Sequence, residues 1–257
     1  MDKTYSGPKA LTEYILYQSK HKADKSYLIL LVQGILGGIY IALGAMGYLK
    51  LVASTLDPGL GMFLGALVFP FGIIAIMLMQ AELFTSDSLV MVAVYDGRTK
   101  FHKIFVILVL ILITNMIGGI LMALLSQASG VFNEQAMTLI IDKAIHKINM
   151  PYGQLFFSGI LCNILVSTGV CLAYSCRDEI AKVVVLWLAI TVFVLSGTEH
   201  VVANMYYLFL AYFGGADISL ISIGINLLIV AAGNFVGGGI IVSGVNYLLA
   251  YKDIEKR

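Results

Sequence analysis

The chain has 257 residues, of which 60% are hydrophobic and 12% charged. A soluble domain carries about 45–50% apolar and about 25% charged residues, and a fold of this size has no means of hiding such an excess from water. Soluble enzyme, disulfide scaffold and disordered tail are excluded. With 16 Lys and Arg against 15 Asp and Glu, no basic surplus meets phosphate, so nucleic acid is excluded as a partner.

The first 26 residues are polar and charged. No cleavable signal is expected, because the first apolar run is a full span. Ser6-Gly7-Pro8 supplies a helix start, and Leu11, Tyr14, Ile15 and Leu16 give residues 8–19 an apolar stripe. A short amphipathic helix is expected there, lying on the membrane surface or docked on a neighbouring subunit.

Uncharged runs follow at 27–49, 58–81, 104–133, 148–176, 183–198, 201–216 and 218–251. A helix needs about 20 apolar residues to cross a bilayer. Only Glu199-His200 separates the two short runs, which read as one span broken in the middle. The run 58–81 continues past Glu82 to residue 95 and reads as broken around 82–87. The spacing predicts six spans, near 27–50, 59–97, 101–127, 152–176, 180–212 and 218–251. The expected fold is an all-α membrane protein, with a cytoplasmic N-terminal segment (1–26), one transmembrane domain (27–251) and a cytoplasmic tail (252–257).

Lysine and arginine set the direction. With six spans, one side holds 13 of them and the other only Lys50, Lys143 and Lys147. The positive-inside rule then places both termini in the cytoplasm of a multi-pass cell-membrane protein.

The chain also repeats itself. Asn115-x-x-Gly118-Gly119 returns as Asn234-x-x-Gly237-Gly238, and Gly34-Ile35-Leu36 as Gly159-Ile160-Leu161. The break at Glu82 matches the break at Glu199. Three spans per half make this an inverted repeat, about 27–127 and 152–251, with discontinuous helices in matching positions.

Backbone leaves helical form at membrane depth only where protein or a water-filled cavity satisfies it, so the breaks point to a pathway. Glu82, Thr85, Ser86 and Asp87 lie at the first, and Ser196, Thr198, Glu199, His200 and Asn204 at the second. Asn115, Asn163 and Asn234 add amides. Intramembrane ionisable residues are rare and usually functional, which singles out His200, the histidine inside a span. The restarting helices offer N-termini that favour an anion, with Ser86 and Thr198 as expected caps. Glu82, Asp87 and Glu199 are expected to turn to backbone or interhelical partners.

Cys162, Cys171 and Cys176 form no C-x-x-C pair and read as packing residues. No metal site or cofactor is expected. A haem subunit needs paired axial ligands and a zinc protease needs H-E-x-x-H, and neither is present. An intramembrane redox subunit is the remote rival.

Leu83-Phe84-Thr85-Ser86, Cys162-Asn163-Ile164-Leu165-Val166, Glu199-His200-x-x-Ala203-Asn204-Met205 and Gly233-Asn234-x-x-Gly237-Gly238 together resemble the formate/nitrite transporter family. The resemblance runs from about residue 8 to 250 and implies an aquaporin-like protomer in a homopentamer, each protomer with its own pore for a small monovalent anion. It implies His200 as the central histidine, Thr85 as the pore threonine, and Asn163 and Asn234 as pore-side amides. Leu83 and Phe193 are the implied constrictions. Phe84 is placed with them, and Asn204, Glu199, Ser86 and Thr198 are added from the chemistry of the breaks. Formate and nitrite members commonly carry an aromatic residue before Glu-His; Thr198 stands there instead, which slightly favours hydrosulfide over formate and nitrite. A proton-coupled formate or nitrite transporter is the alternative on the same site.

Overall fold

The protein is described by a computed structural model covering residues 7–254, and its regular elements are all helical. Residues 1–6 and 255–257, which include most of the expected tail's charge, lie outside the described residues.

Short polar side chains start most of the long helices. Ser26 caps α2 (Tyr27–Ser54) through the Ile29 N–H. Asp57 caps α3 (Pro58–Val68) through the Leu60 N–H, 2.6 Å away, with Pro58 in the first turn. Each satisfies one of the donors a helix start leaves free. After α3 come α4 (Phe71–Met79), α5 (Phe84–Asp87), a 3₁₀ turn (Ser88–Met91) and α6 (Val92–Tyr95). Then α7 (Phe101–Ala128), α8 (Glu134–Asn149), α9 (Tyr152–Tyr174), α10 (Glu179–Leu195) and α11 (Val201–Phe213) follow. The chain closes with α12 (Leu220–Phe235), a π turn (Val236–Val242) and α13 (Ser243–Ile254).

Five stretches are long and apolar enough to cross a membrane: Tyr27–Ser54, Pro58–Met79, Phe101–Ala128, Tyr152–Tyr174 and Leu220–Tyr251. The protein is therefore membrane-embedded. The apolar segments Phe84–Tyr95 and Val201–Phe213 are shorter. They follow the two interruptions expected at the acidic residues, at 80–83 and 196–200. Each interruption holds a left-handed residue, Gln80 at φ 53° and Gly197 at φ 65°. Gln80 carries a Cβ there, and its carbonyl accepts a bond from Gln33 Nε2 at 2.7 Å.

Two expectations change. Helix α1 (Pro8–Ala23) runs four residues past the expected end, and its apolar side lies on its own chain. Leu11, Ile15 and Leu16 are buried, and the helix packs on α13, α6 and the 3₁₀ turn of its own chain. The cause is spacing: Leu11 and Ile15 sit one turn apart and form a narrow seam that α13 can cover. Helix α8 lies where only a connection was expected. Asn133 caps it through the Ala136 N–H at 2.9 Å, and Ala136, Ile140 and Ala144 form its buried stripe.

The repeated glycines sit where backbones touch. A Cβ on Gly118 would stand 2.2 Å from the Ile35 carbonyl oxygen, and one on Gly237 2.3 Å from that of Ile160. In each half, the Asn-x-x-Gly-Gly motif packs against the Gly-Ile-Leu motif.

Candidate functional site

Two asparagines hold the interruptions open. Asn115 Nδ2 donates to the carbonyls of Gly34 (2.7 Å) and Glu82 (2.9 Å), while its Oδ1 accepts the Phe84 N–H at 3.0 Å. Asn234 Nδ2 donates to the carbonyls of Gly159 (2.8 Å) and Glu199 (2.9 Å), while its Oδ1 accepts the Val201 N–H at 2.9 Å. Both amides are fully buried. Each satisfies two backbone groups that an unbroken helix would have paired internally, and ties them to a carbonyl of a neighbouring continuous helix, Gly34 of α2 or Gly159 of α9.

The clamps bring Thr85 and His200 together, although 115 residues separate them, with Oγ1 and Nε2 3.0 Å apart. His200 is the residue that caps α11, its Nδ1 accepting the Ala203 N–H at 3.2 Å. The expected caps act elsewhere: the Ser86 hydroxyl donates to the Leu83 carbonyl at 3.1 Å, and Thr198 shares a bond with the Ser196 hydroxyl at 3.1 Å. Thr198 sits two residues too early, because the helix restarts only at Val201.

This cap assigns the tautomer. An Nδ1 that accepts a hydrogen bond carries no proton, so in the neutral ring the proton is on Nε2 and is donated to Thr85. The Thr85 hydroxyl is then left to donate its own proton to a third group. Protonating Nδ1 would turn an acceptor toward a helix N-terminus into a donor, breaking the cap.

Asn163 fixes Thr85 from behind. Its Nδ2 lies 3.1 Å from the Thr85 carbonyl, 3.2 Å from Ser88 Oγ and 2.6 Å from the Asn234 carbonyl. A Cβ on Gly238 would sit 2.4 Å from this amide and 2.2 Å from Ser88 Oγ. Only glycine fits there, at the π turn of the last long helix.

On the other side of His200 a cavity of about 680 Å³ opens toward α8. Its walls include Phe69, Phe193, Glu199, His200, Asn204 and Tyr207, with Lys143, His146 and Lys147 from α8. The Phe193 ring centroid is 5.6 Å from that of His200 and 6.0 Å from that of Phe69. Leu83, Phe84 and Thr85 are buried and take no part in this lining. Of the expected apolar groups, Phe193 thus lines the cavity beside His200, and Leu83 and Phe84 do not line it. Burial and the neighbouring Lys147 lower the pKa of Lys143 below the ordinary lysine value.

The acidic residues find lysines. Glu199 pairs with Lys147 at 2.6 Å, and its other oxygen accepts a bond from Asn204 at 2.6 Å. Asn226 links Asn204 to the Lys147 carbonyl. At the first interruption Lys22 lies 2.5 Å and Lys25 2.7 Å from Glu82, and Lys22 also bonds Asp87. Burial works to lower the Lys22 pKa, but Asp87 and Glu82 outweigh it and hold it above the ordinary lysine value. A raised lysine pKa means that Lys22 is charged throughout the range below about pH 10.5 and loses its proton only above it.

Sequence reasoning missed Phe69 and the three lysines as site residues. One signal was available for the lysines: Lys22 and Lys147 each stand 12 residues before the matching glycine, Gly34 or Gly159. Phe69 had none, since an aromatic residue in an apolar helix is ordinary.

A polytopic helical protein with a neutral donor pair buried next to a cavity that carries Asp142, Lys143, Lys147 and Glu199 is a membrane channel or transporter. The family model for the formate/nitrite transporter matches residues 9–248, and the chain belongs to that family. The formate channel FocA of Haemophilus influenzae is 32% identical over 259 residues, spanning 91% of each chain. The nitrite transporter NirC of Salmonella typhimurium is 29% identical over 229 residues, 88% of this chain and 84% of the relative. A pentameric formate channel with formate bound superposes with a TM-score of 0.80 at 30% identity, covering 88% of this chain and 98% of that one. The family consists of membrane channels and transporters, not enzymes.

Proposed function

We propose that the protein is a channel for small monovalent anions of weak acids. The observation that carries this reading is the buried Thr85–His200 pair, 3.0 Å apart, with the Phe193 ring beside His200 and the buried Leu83 two residues before Thr85. A bare anion in an apolar constriction loses hydration at a cost of several kcal/mol. The Thr85 hydroxyl offers a hydrogen bond in its place. A weak-acid anion has a further way through: it takes the Thr85 proton, Thr85 takes the Nε2 proton, and Nδ1, released from Ala203, takes one from cavity water. The anion then crosses as the neutral acid. Chloride has no such route. A proton-coupled transporter would use the same steps.

Formate and nitrite are the substrates to which the relatives' names point, and Thr198 keeps hydrosulfide beside them. The test is stopped-flow uptake into proteoliposomes of formate, nitrite, hydrosulfide and chloride from about pH 5 to 8. The three weak-acid anions should pass, faster at lower pH, and chloride should lag by about tenfold or more. Chloride flux equal to formate flux at every pH would remove the reading.

The architecture that goes with this function is six spans in two inverted halves, both termini cytoplasmic, one channel domain per protomer and five protomers together. The matched bonds of Asn115 and Asn234 support the repeat, and the pentameric formate channel supports the assembly. With this orientation α8 faces the outside. A single cysteine in place of Lys143 should react with an impermeant maleimide on intact cells; reaction only after permeabilisation would invert the topology.

A further inference from the structure

The two halves differ directly behind Thr85. Counted from the matching glycines, Gly34 and Gly159, Asn163 stands where the first half has Gly38. Gly38 has no room for a side chain: a Cβ there would lie 2.1 Å from the Asn115 carbonyl oxygen, so α2 and α7 touch through their backbones. Helix α7 runs past that contact as unbroken α-helix to Ala128. In the second half the same contact admits a whole carboxamide. Asn163 Nδ2 lies 2.6 Å from the carbonyl of Asn234, the counterpart of Asn115. Here the last long helix does not stay regular, and the π turn Val236–Val242 begins two residues after Asn234. A π turn closes its hydrogen bonds over five residues instead of four, which widens the backbone locally.

Two hydroxyls pin that turn to the segment that follows Thr85. Tyr95 Oη donates to the Gly239 carbonyl at 2.8 Å, and Ser243, the first residue after the turn, donates to the Leu89 carbonyl at 3.2 Å. Counted from the two glutamates, Glu82 and Glu199, the counterpart of Tyr95 is Tyr212. Its ring meets Phe213, and its hydroxyl makes no hydrogen bond among the described residues. Gly238, inside the turn, lies against Ser88 and Asn163. Both of these hold the Thr85 carbonyl, Ser88 Oγ at 2.7 Å and Asn163 Nδ2 at 3.1 Å.

We propose that Tyr95 is a positioning residue for Thr85. Its hydroxyl keeps the turn in its π form, the widened turn seats Asn163, and Asn163 with Ser88 fixes the Thr85 backbone and so the aim of its hydroxyl at His200. Without the Tyr95 bond the turn is free to rewind as α-helix, the form that faces glycine in the first half. Rewinding brings the helix backbone onto Asn163 and drives its amide off the Thr85 carbonyl. The proposal goes beyond the channel reading and rests on it only where flux is the readout.

Tyr95→Phe removes one hydroxyl and keeps the ring. Formate flux into proteoliposomes should fall about threefold to tenfold, the worth of one hydrogen bond. The ratio of formate to chloride flux should fall with it, since formate takes a proton from Thr85 and chloride does not. Fewer working channels would lower both fluxes alike, so the ratio separates a displaced Thr85 from lost protein. Amide exchange should quicken in both 236–242 and 84–88. Tyr212→Phe, the counterpart change, should leave all of these as in wild type. Asn163→Gly gives the second half the first half's residue at the contact and should lower flux by itself. With no carboxamide left to seat, adding Tyr95→Phe to it should alter flux and the exchange of 84–88 by less than about twofold. Tyr95→Phe with an unchanged flux ratio, or with wild-type exchange in 84–88, overturns the proposal, as does a second full loss when it is added to Asn163→Gly. Where Asn163→Gly does not assemble, the exchange of 84–88 in Tyr95→Phe against Tyr212→Phe decides. A wild-type protein that carries no formate removes the channel reading instead, and the same exchange comparison still decides this one.

Discussion

His200→Phe is expected to bring anion flux to the background of empty liposomes while His200→Asn keeps most of it. Phenylalanine removes the partner of Thr85 and fills the space beside Phe193 with a second apolar ring. A hydrogen bond to a charged group is worth about 1.5–3 kcal/mol, so its loss alone slows passage roughly 10–100-fold, before the steric block. Phenylalanine also leaves the Ala203 N–H without its cap, which costs about 1 kcal/mol of stability. Asparagine is among the better capping residues, so His200→Asn should retain α11 and the proposed assembly. It cannot pass a proton from one ring nitrogen to the other, and the rise of flux at lower pH should flatten between about pH 5 and 8. Lys22 keeps its charge over that range, so its titration does not imitate the effect. An unaltered pH profile and unaltered selectivity in His200→Asn would take His200 out of the mechanism.

Asn234→Leu is expected to be the most damaging single change to stability. The substitution strips partners from the Gly159 and Glu199 carbonyls and the Val201 N–H, all at a buried site. The Gly159 carbonyl keeps its place in the α9 ladder, so two groups are left unsatisfied at about 1–3 kcal/mol each, a sum of at least about 2 kcal/mol. The interruption that holds His200 should collapse toward continuous helix, with loss of assembled protein in detergent and of thermal stability in what remains. Asn115→Leu should do the same to the loop carrying Thr85, since its three bonds are equivalent. Either variant melting within a degree or two of wild type would show that the clamps do not hold the interruptions open.

Hydropathy located the long crossing helices because each must present a continuous apolar surface to lipid, and that requirement acts on every residue of a run. The interruptions were legible for the converse reason: charge at membrane depth is too costly to be placed without a partner or a task, so Glu82, Asp87, Glu199 and His200 stand out. Family motifs reached further, naming Thr85, Asn163 and Asn234 as pore residues, but they did not say which atoms meet. That Thr85 lies 3.0 Å from His200, across 115 residues, follows only from the two clamps drawing both loops to one point. That His200 caps α11, and hence which nitrogen bears the proton, depends on the restart falling at Val201. Helix α8 was legible in the sequence: Asn133 caps it, and Ala136, Ile140 and Ala144 repeat at helical spacing. It is too polar to cross a bilayer and so escapes a search for apolar runs; its packing on α2, α11 and α12 is what the fold adds. The lysines are the clearest case. On the sequence Lys22, Lys25 and Lys147 were loop charges that set orientation, and nothing local sets them apart from Lys20 or Lys143. Their partners are 52 to 65 residues away. An ion pair in a buried interruption is a property of two surfaces brought together, and only the tertiary fold brings them.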